Sequence, residues 1–265
     1  MSVEAESAWV AIAGIWLFAC SEQHQFRGPT PEEVPETVSV PSGGLVSGFA
    51  LGKTHNQQQV DGFRITKTPV TVAQYRSCVG VGACTTPSSD SPSCARDVQA
   101  PLHSSSLDGR TYGIDDSLPV TCVTPVQATA YCAWQRGTLP NLAQWTLAAR
   151  GTAVSRYSWG AHTATCDNHP GSGHDGKTPC SADLAAFHVG AHSAGASPAG
   201  VQDVLLTRSE LLRDSPDADS PACRGQGTCA VQGVFAGTID SVRPVSAPHD
   251  LGPASGFRCV LGGGQ

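Results

Sequence analysis

The sequence predicts an α+β domain of irregular, loop-rich architecture, with few short helices, short strands and disulfide cross-links. Three observations indicate this fold class. Glycine and proline make up 29 plus 19 of the 265 residues and only 14% are charged, which is typical of a globular protein with many turns. Three helix-start signals each precede a short helical segment. The eleven cysteines are many for a chain of this size, and disulfides persist in oxidising compartments.

Residues 8–19 form an apolar run, AWVAIAGIWLFA, at the start of the chain. The run is shorter than the roughly 20 residues of a membrane-spanning helix, and its length is typical of a signal peptide. It ends in Leu-Phe-Ala-Cys20, which is similar to a bacterial lipobox, although Phe18 is large and the preceding MSVEAES has no Lys or Arg. We expect a signal peptide with a lipidated Cys20 over residues 1–20. A cleaved signal peptide and a buried N-terminal helix are the alternatives.

Residues 21–37 are polar, contain three prolines and show no periodicity, as in a linker. A globular domain is expected over 38–261, followed by a tail at 262–265. Within the domain, 38–45 is typical of a strand broken by a turn, and 60–65 alternates apolar and polar residues like a second strand. A closing strand is expected over 256–261.

Three helices are predicted by capping boxes, in which a side-chain acceptor is followed by Gln three residues later. They begin at Thr71, Thr124 and Asn141. The third ends at Gly151, a residue favoured just after a helix. Residues 84–119 and 161–200 are predicted as loops, and 201–214 carries the only later helical signal.

Eight motifs in order resemble the sulfatase-modifying-factor domain of the formylglycine-generating-enzyme type, whose fold is a variant of the C-type lectin fold. Two are TLPNLAQWTLAARG at 138–151, similar to the family's RLPTEAEWExAARG, and GFRCV at 256–260. The other six lie at 40–48, 63–75, 78–84, 118–134, 157–160 and 166–168. The resemblance implies a degenerate member of this family.

Enzymes of this family use oxygen and a copper ion held by two cysteines to oxidise a sulfatase cysteine to formylglycine. Counting from the segment 231–235, which corresponds to the family's RGGSW strand, these two positions fall on Gly237 and Val242. Neither side chain can hold a metal. We therefore expect no copper and assign no catalytic residue.

The resemblance also implies calcium, which family members bind through a Glu and backbone carbonyls of the GNVWEW motif and at a second site near residue 168. The corresponding residues are Glu210 and Asn168. These residues are candidate calcium ligands only, because the ion needs six to eight oxygen ligands in each case.

Ten cysteines remain if Cys20 is lipidated, and the sequence alone leaves their connectivity open. The resemblance implies the pair Cys132–Cys259. Local spacing suggests Cys78–Cys84, Cys166–Cys180 and Cys223–Cys229, with Cys94–Cys122 left over. A zinc site in the loop that contains His162, Cys166, His169, His174 and Cys180 is the alternative, and solvated histidines are what we expect there. Core packing is expected for Trp134, Trp145 and Trp159.

The predicted function is that of an exported, lipid-anchored protein of the cell envelope whose domain is catalytically inactive and acts as a binding or structural module. The alternatives are an active oxidoreductase with a non-standard metal site and a lectin-like, calcium-dependent binding domain. The expected partner is a protein or glycan at the envelope. No Lys/Arg run occurs and the net charge is −6, which argues against nucleic acid. We expect a monomer.

Overall fold

The structure is a computed structural model. It describes residues 27–30, 33–45, 58–87, 94–100, 107, 109–153, 155–171, 180–207, 209–213, 228–232, 243–246 and 255–262, with the backbone alone for 228–232 and 243–246. The predictions for Cys20, Cys223, Gly237 and Val242 lie outside these residues.

A bent hairpin opens the domain. Strand β1 (Thr37–Val40) pairs antiparallel with β4 (Phe63–Thr66), and β2 (Gly43–Leu45) pairs with β3 (Gln58–Val60). Pro41 interrupts the first predicted strand, and an Asp-Gly turn at 61–62 interrupts the second. Both predicted strands are therefore present, each in two pieces.

Three helices follow: α1 (Val72–Gly80), α2 (Pro125–Trp134) and α3 (Leu142–Arg150). Each begins with a complete capping box, in which the N-cap side chain accepts from the Gln backbone and the Gln side chain accepts from the N-cap backbone. The three capping-box predictions are confirmed. Gly151 caps the end of α3 with a φ of 69°, which glycine adopts without strain.

The other strands complete two four-stranded sheets. They are β5 (Gly137–Thr138), β6 (Ser209–Arg213), β7 (Thr228–Gln232), β8 (Arg243–Ser246), β9 (Ser255–Phe257) and β10 (Val260–Leu261). The first sheet has the order β1-β4-β10-β5 and the second β8-β7-β6-β9. Mixed short strands and three short helices confirm the α+β fold class.

The helical prediction for 201–214 is wrong. Residues 201–203 are irregular, 204–207 form a turn, and 209–213 form strand β6, which pairs with both β7 and β9. Positions 209–212 are all buried. A strand buried on both faces lacks the alternation of a half-exposed strand, so its leucines imitate a helical pattern.

Strand β6 also lies between two hydrophobic cores. Leu212 packs with Trp145 of α3 in one cluster, whereas the adjacent Leu211 packs with Tyr75 of α1 and Tyr131 of α2 in the other. Successive side chains of a strand point to opposite faces, so one strand serves both clusters. The residues just before β6 are thereby placed at the centre of the domain.

Four disulfides cross-link the domain: Cys78–Cys84, Cys94–Cys122, Cys132–Cys259 and Cys166–Cys180. These are four of the five expected pairs. Among the pairs that the structure describes, Cys132–Cys259 joins the most distant parts of the chain, with a sequence separation of 127 residues.

Two of the three tryptophans expected in the core are buried there, Trp134 and Trp145. Trp159 is only partly buried, and its ring stacks on the ring of Tyr157 with the centroids 4.6 Å apart. The core prediction is therefore wrong for Trp159. No helix within the described ranges is long and apolar enough to span a membrane.

Part of the segment predicted as a linker contacts the domain. The Trp134 indole N–H donates to the carbonyl of Arg27 at 2.8 Å, and the Gln135 side-chain amide donates to the carbonyl of Glu33 at 3.0 Å. The chain is thus attached to the end of α2 before β1 begins.

Candidate functional site

An ion pair between Glu210 of β6 and Arg258 lies in the interior of the domain, with the side chains 0% and 1% exposed. Arg258 Nε donates to Glu210 Oε2 at 2.7 Å, and Arg258 Nη2 donates to Oε1 at 2.9 Å. The Trp145 indole and the backbone N–H of Leu205 donate to the same carboxylate at 2.9 and 3.0 Å. Such a complete set of partners is what a charge pair needs when it is removed from water.

The surroundings of Glu210 decide its charge. Burial raises the pKa of this carboxyl, but Arg258 and the N–H donors outweigh burial and hold the pKa below its usual value. Each oxygen of the ionised carboxylate already accepts two hydrogen bonds. A calcium ion would have to share these oxygens with Arg258. The calcium role of Glu210 stays a prediction, and it requires that a chelator lower the melting temperature.

The turn before β6 is strained and partly unpaired. Asp203 and Leu205 have positive φ angles of 55° and 58°, which non-glycine residues seldom adopt. Asp203 Oδ2 accepts from the Gly190 N–H at 2.6 Å, while Oδ1 is buried with no hydrogen-bond partner among the described residues. Burial raises the pKa of this carboxyl. Arg258 Nη2 donates to the Asp203 carbonyl at 3.3 Å, so the same guanidinium that pairs with Glu210 also supports the turn.

The second expected calcium ligand, Asn168, holds two loop segments together. Its side-chain oxygen accepts from the Thr165 hydroxyl at 2.9 Å, and its Nδ2 donates to the carbonyl of Ala194 at 3.1 Å. These contacts leave a calcium role at Asn168 as a prediction. Among the described residues, no group of three or more His, Cys, Asp or Glu side chains is arranged to hold a metal ion.

The loop considered for zinc is closed by Cys166–Cys180. The expectation of solvated histidines is wrong for His169, which is 2% exposed. Its Nε2 donates to the carbonyl of Leu205 at 3.3 Å, and its Nδ1 accepts from the Gly171 N–H at 3.0 Å. Both ring nitrogens are thus used by backbone groups in a neutral imidazole. The side chain links this loop to the turn before β6.

Lowering the pH from 7 to 5 is expected to reduce the free energy of unfolding by about 2 kcal/mol more in the wild type than in a His169→Gln variant. Burial lowers the pKa of His169 to about 4 from its usual 6.5. In the unfolded chain His169 therefore takes up a proton below pH 6.5, whereas in the folded chain it stays neutral until about pH 4. Because only the unfolded chain gains a proton in between, stability is lost as the pH falls. Urea unfolding at the two pH values measures the difference.

The exposed His162 supplies the control for this experiment, because a His162→Gln variant should retain the pH dependence of the wild type. Glu210 is retained in all three proteins, so its contribution to the pH dependence cancels in the comparison. If the stability of His169→Gln and of the wild type falls equally between pH 7 and pH 5, the lowered pKa of the buried His169 is contradicted.

The described cysteines do not fit a copper site of the family type. Eight of the eleven cysteines are in disulfides. Thiolates are the ligands and the reactive groups in the family's chemistry, and a disulfide sulfur supplies neither. The cysteines that remain are Cys20, Cys223 and Cys229.

A cleft of about 670 Å³ opens on the side of the domain where α1 begins. We call it the polar cleft. The end of β4 and the start of α1 contribute Lys67, Thr68, Thr71 and Ala73. More distant segments contribute Glu36, Asp116, Ser117, Val189, Gly190, Ser193 and Gln202.

Hydrogen bonds hold the segments around the polar cleft together. His188 Nε2 lies 2.8 Å from Asp115 Oδ2, and the Val189 N–H donates to the carbonyl of Ser117 at 2.9 Å. The Gln202 N–H donates to the carbonyl of Lys67 at 2.8 Å. No sequence motif pointed to this cleft, because its lining comes from segments far apart in the chain.

Comparisons with known proteins agree on the fold. The chain is similar to the protein described as "Crystal Structure of CarF", with 17% identity, a TM-score of 0.53, and coverage of 86% of this chain and 98% of that chain. It is also similar to the protein described as "Structure of PvdO from Pseudomonas aeruginosa", with 15% identity, a TM-score of 0.54, and coverage of 86% and 95%. At these identities the likeness shows the fold alone. No curated protein matches the chain.

The motifs, the disulfides and the fold thus agree with a family assignment. A family model described as the sulfatase-modifying factor enzyme 1-like domain matches residues 23–262, which is most of the chain. The chain therefore belongs to the family of the sulfatase-modifying factor enzyme 1-like domain.

Proposed function

We propose that this protein is an exported, lipid-anchored module of the cell envelope that binds a protein or glycan partner and does not carry out the copper chemistry of its family. The use of its cysteines carries the proposal. The positions equivalent to the copper ligands are Gly237 and Val242. Eight cysteines are in disulfides, and a domain cross-linked in this way has a fixed surface rather than available thiolates.

Two features support export. Disulfides persist in oxidising compartments, and this domain contains four of them within the described residues. The apolar run before Cys20 has the length of a signal-peptide core. Attachment by a lipid requires an acyl group on Cys20, which mass spectrometry of the mature N-terminus detects.

We expect the purified full-length chain to bind less than one equivalent of copper in competition with a Cu(I) chelator and to consume no oxygen with a cysteine-containing peptide. The reason is the lack of a cysteine pair at the family's copper positions. Chelator competition and an oxygen electrode measure the two quantities. A catalytically active member of the family, assayed in parallel, serves as the positive control.

Stoichiometric copper binding together with oxygen uptake would overturn the proposal in favour of an oxidoreductase with a non-standard site. A Cys229→Ser variant then tests the ligand, because Cys229 lies in β7 next to the segment where the family places its copper cysteines. If the Cys229→Ser variant still binds copper and consumes oxygen, Cys20 and Cys223 are the remaining candidate cysteine ligands.

A further inference from the structure

The lining of the polar cleft is dominated by groups that both donate and accept hydrogen bonds. Four hydroxyl side chains line it: Thr68, Thr71, Ser117 and Ser193. The side-chain amide of Gln202 adds a donor and an acceptor and makes no hydrogen bond within the described residues. The apolar side chains that line the cleft are the small ones of Ala73 and Val189. A predominantly apolar ligand would leave these polar groups without partners, which is costly.

The charges of the cleft do not suit an anion. Its lining contains two carboxylates, Glu36 and Asp116, and one ammonium group, Lys67. Lys67 Nζ already lies 3.0 Å from Glu36 Oε1. Asp116 is paired with Arg76, which does not itself line the cleft. Both carboxylates are therefore paired with a cation, and among the described lining residues no unpaired cation is available to an anionic ligand.

The start of α1 provides no phosphate site either. Helix N-termini bind anions through N–H groups that have no other partner. Here all four N–H groups have a partner. The Thr71 N–H donates to the Gln74 side chain, and the Gln74 N–H donates to the Thr71 side chain. The Val72 and Ala73 N–H groups donate to the backbone carbonyls of Leu118 and Asp116. With its first-turn donors occupied, the helix has none to offer a nucleotide or a phosphorylated ligand.

An extended peptide finds no open strand at the cleft. Peptides that add to a sheet need an unpaired edge, together with pockets for alternate side chains. Strand β4, which ends at the cleft, is paired on one side with β1 and on the other with β10. The N–H groups of Val189 and Gly190 are also occupied, by the Ser117 carbonyl and by Asp203.

We propose that the polar cleft binds a neutral or amine-bearing oligosaccharide through side-chain hydrogen bonds and without calcium. A sugar hydroxyl donates and accepts at once, as do the hydroxyl and amide groups of the lining. The volume of about 670 Å³ lies within the range of small-molecule sites. The described lining has no unpaired cation to receive the carboxylate of an acidic sugar, which disfavours that class. The proposal rests on the proposed function, namely that the domain is a binding module.

The recognition differs from that of most sugar sites in one respect. Among the described residues no Trp, Tyr or Phe lines the cleft, so they offer the ligand no ring on which to stack. Hydrogen bonds exchanged with water contribute little each. The expected dissociation constant is therefore about millimolar.

The test uses the full chain and three trisaccharides, a glucosamine trimer, maltotriose and trigalacturonic acid, each titrated once with added calcium and once with EDTA. Isothermal titration calorimetry or ligand-observed NMR should detect the glucosamine trimer and maltotriose, with the acidic sugar about tenfold weaker or absent. The variants Gln202→Leu and Ser193→Ala each remove a hydrogen-bonding group from the cleft and should weaken binding about tenfold.

Matched controls lie on exposed strand positions outside the cleft. Gln59→Leu in β3 and Ser39→Ala in β1 should leave sugar binding and the melting temperature unchanged. Unchanged melting temperatures of the cleft variants show that they fold.

Each alternative outcome overturns the proposal in a different way. Binding that the cleft variants do not affect places the sugar elsewhere, and binding lost in EDTA indicates a calcium-dependent lectin. Equal binding of the acidic sugar contradicts the charge argument, and no binding of any sugar removes the ligand class. The copper assay tests the proposed function separately from these four outcomes. If no sugar binds to the cleft and no copper binds either, the cleft proposal fails and the proposed function stands.

Discussion

Replacing Arg258 by Met is expected to lower the free energy of unfolding by about 3–5 kcal/mol, as when one partner of a buried ion pair is removed. The substitution leaves the buried Glu210 without its two guanidinium donors, so the carboxyl must stay charged without a counter-ion or take up a proton, and either costs stability. It also removes the donor to the Asp203 carbonyl and so weakens the strained turn before β6. Urea unfolding at neutral pH measures the loss.

Two further variants separate the charge effect from general damage. Combining Arg258→Met with Glu210→Gln removes both charges but keeps a side-chain oxygen that can accept from the Trp145 and Leu205 N–H groups. This double variant should recover part of the lost stability, because the uncompensated buried charge is gone. Arg110→Ala breaks the more exposed pair with Asp97, whose side chains are 35% and 39% exposed, and should cost no more than about 1 kcal/mol. A loss in Arg258→Met as small as that in Arg110→Ala would contradict the proposed role of the pair.

Replacing both Cys132 and Cys259 by Ala is expected to cost about 5 kcal/mol, mainly because the unfolded chain regains the entropy of an open loop. The disulfide spans 127 residues and joins α2 to the segment just before β10. Both cysteines are fully buried, so alanine introduces no unpaired polar group. Urea unfolding under non-reducing conditions measures the change.

The disulfide Cys78–Cys84 supplies the comparison, because it spans only six residues. The same loop-closure estimate gives about 2 kcal/mol for its removal. Equal losses for the two disulfides would show that loop closure is not the source of the stabilisation.

Local signals predicted the helices well. The contacts that start α1, α2 and α3 join residues only three positions apart, such as Thr71 and Gln74, so they are visible in a short stretch of sequence. The retained family residues near α3, among them Trp145 and Gly151, have packing and capping roles in the structure. A pattern of such residues reports the fold.

Long-range contacts explain what the sequence did not show. The partner of Glu210 is 48 residues away, and strand β6 is defined by neighbours on both sides rather than by its own pattern. The ring of the buried His169 is hydrogen-bonded to the carbonyl of Leu205, 36 residues further on. The polar cleft likewise combines segments from Glu36 to Gln202, and no local motif contains that arrangement.

The position of β10 has a consequence for biosynthesis. This strand is the last described one in the chain, yet it lies inside the first sheet, between β4 and β5. Cys259, immediately before it, carries the disulfide to α2. A nascent chain therefore cannot complete its first sheet or close this disulfide until translation has passed residue 261.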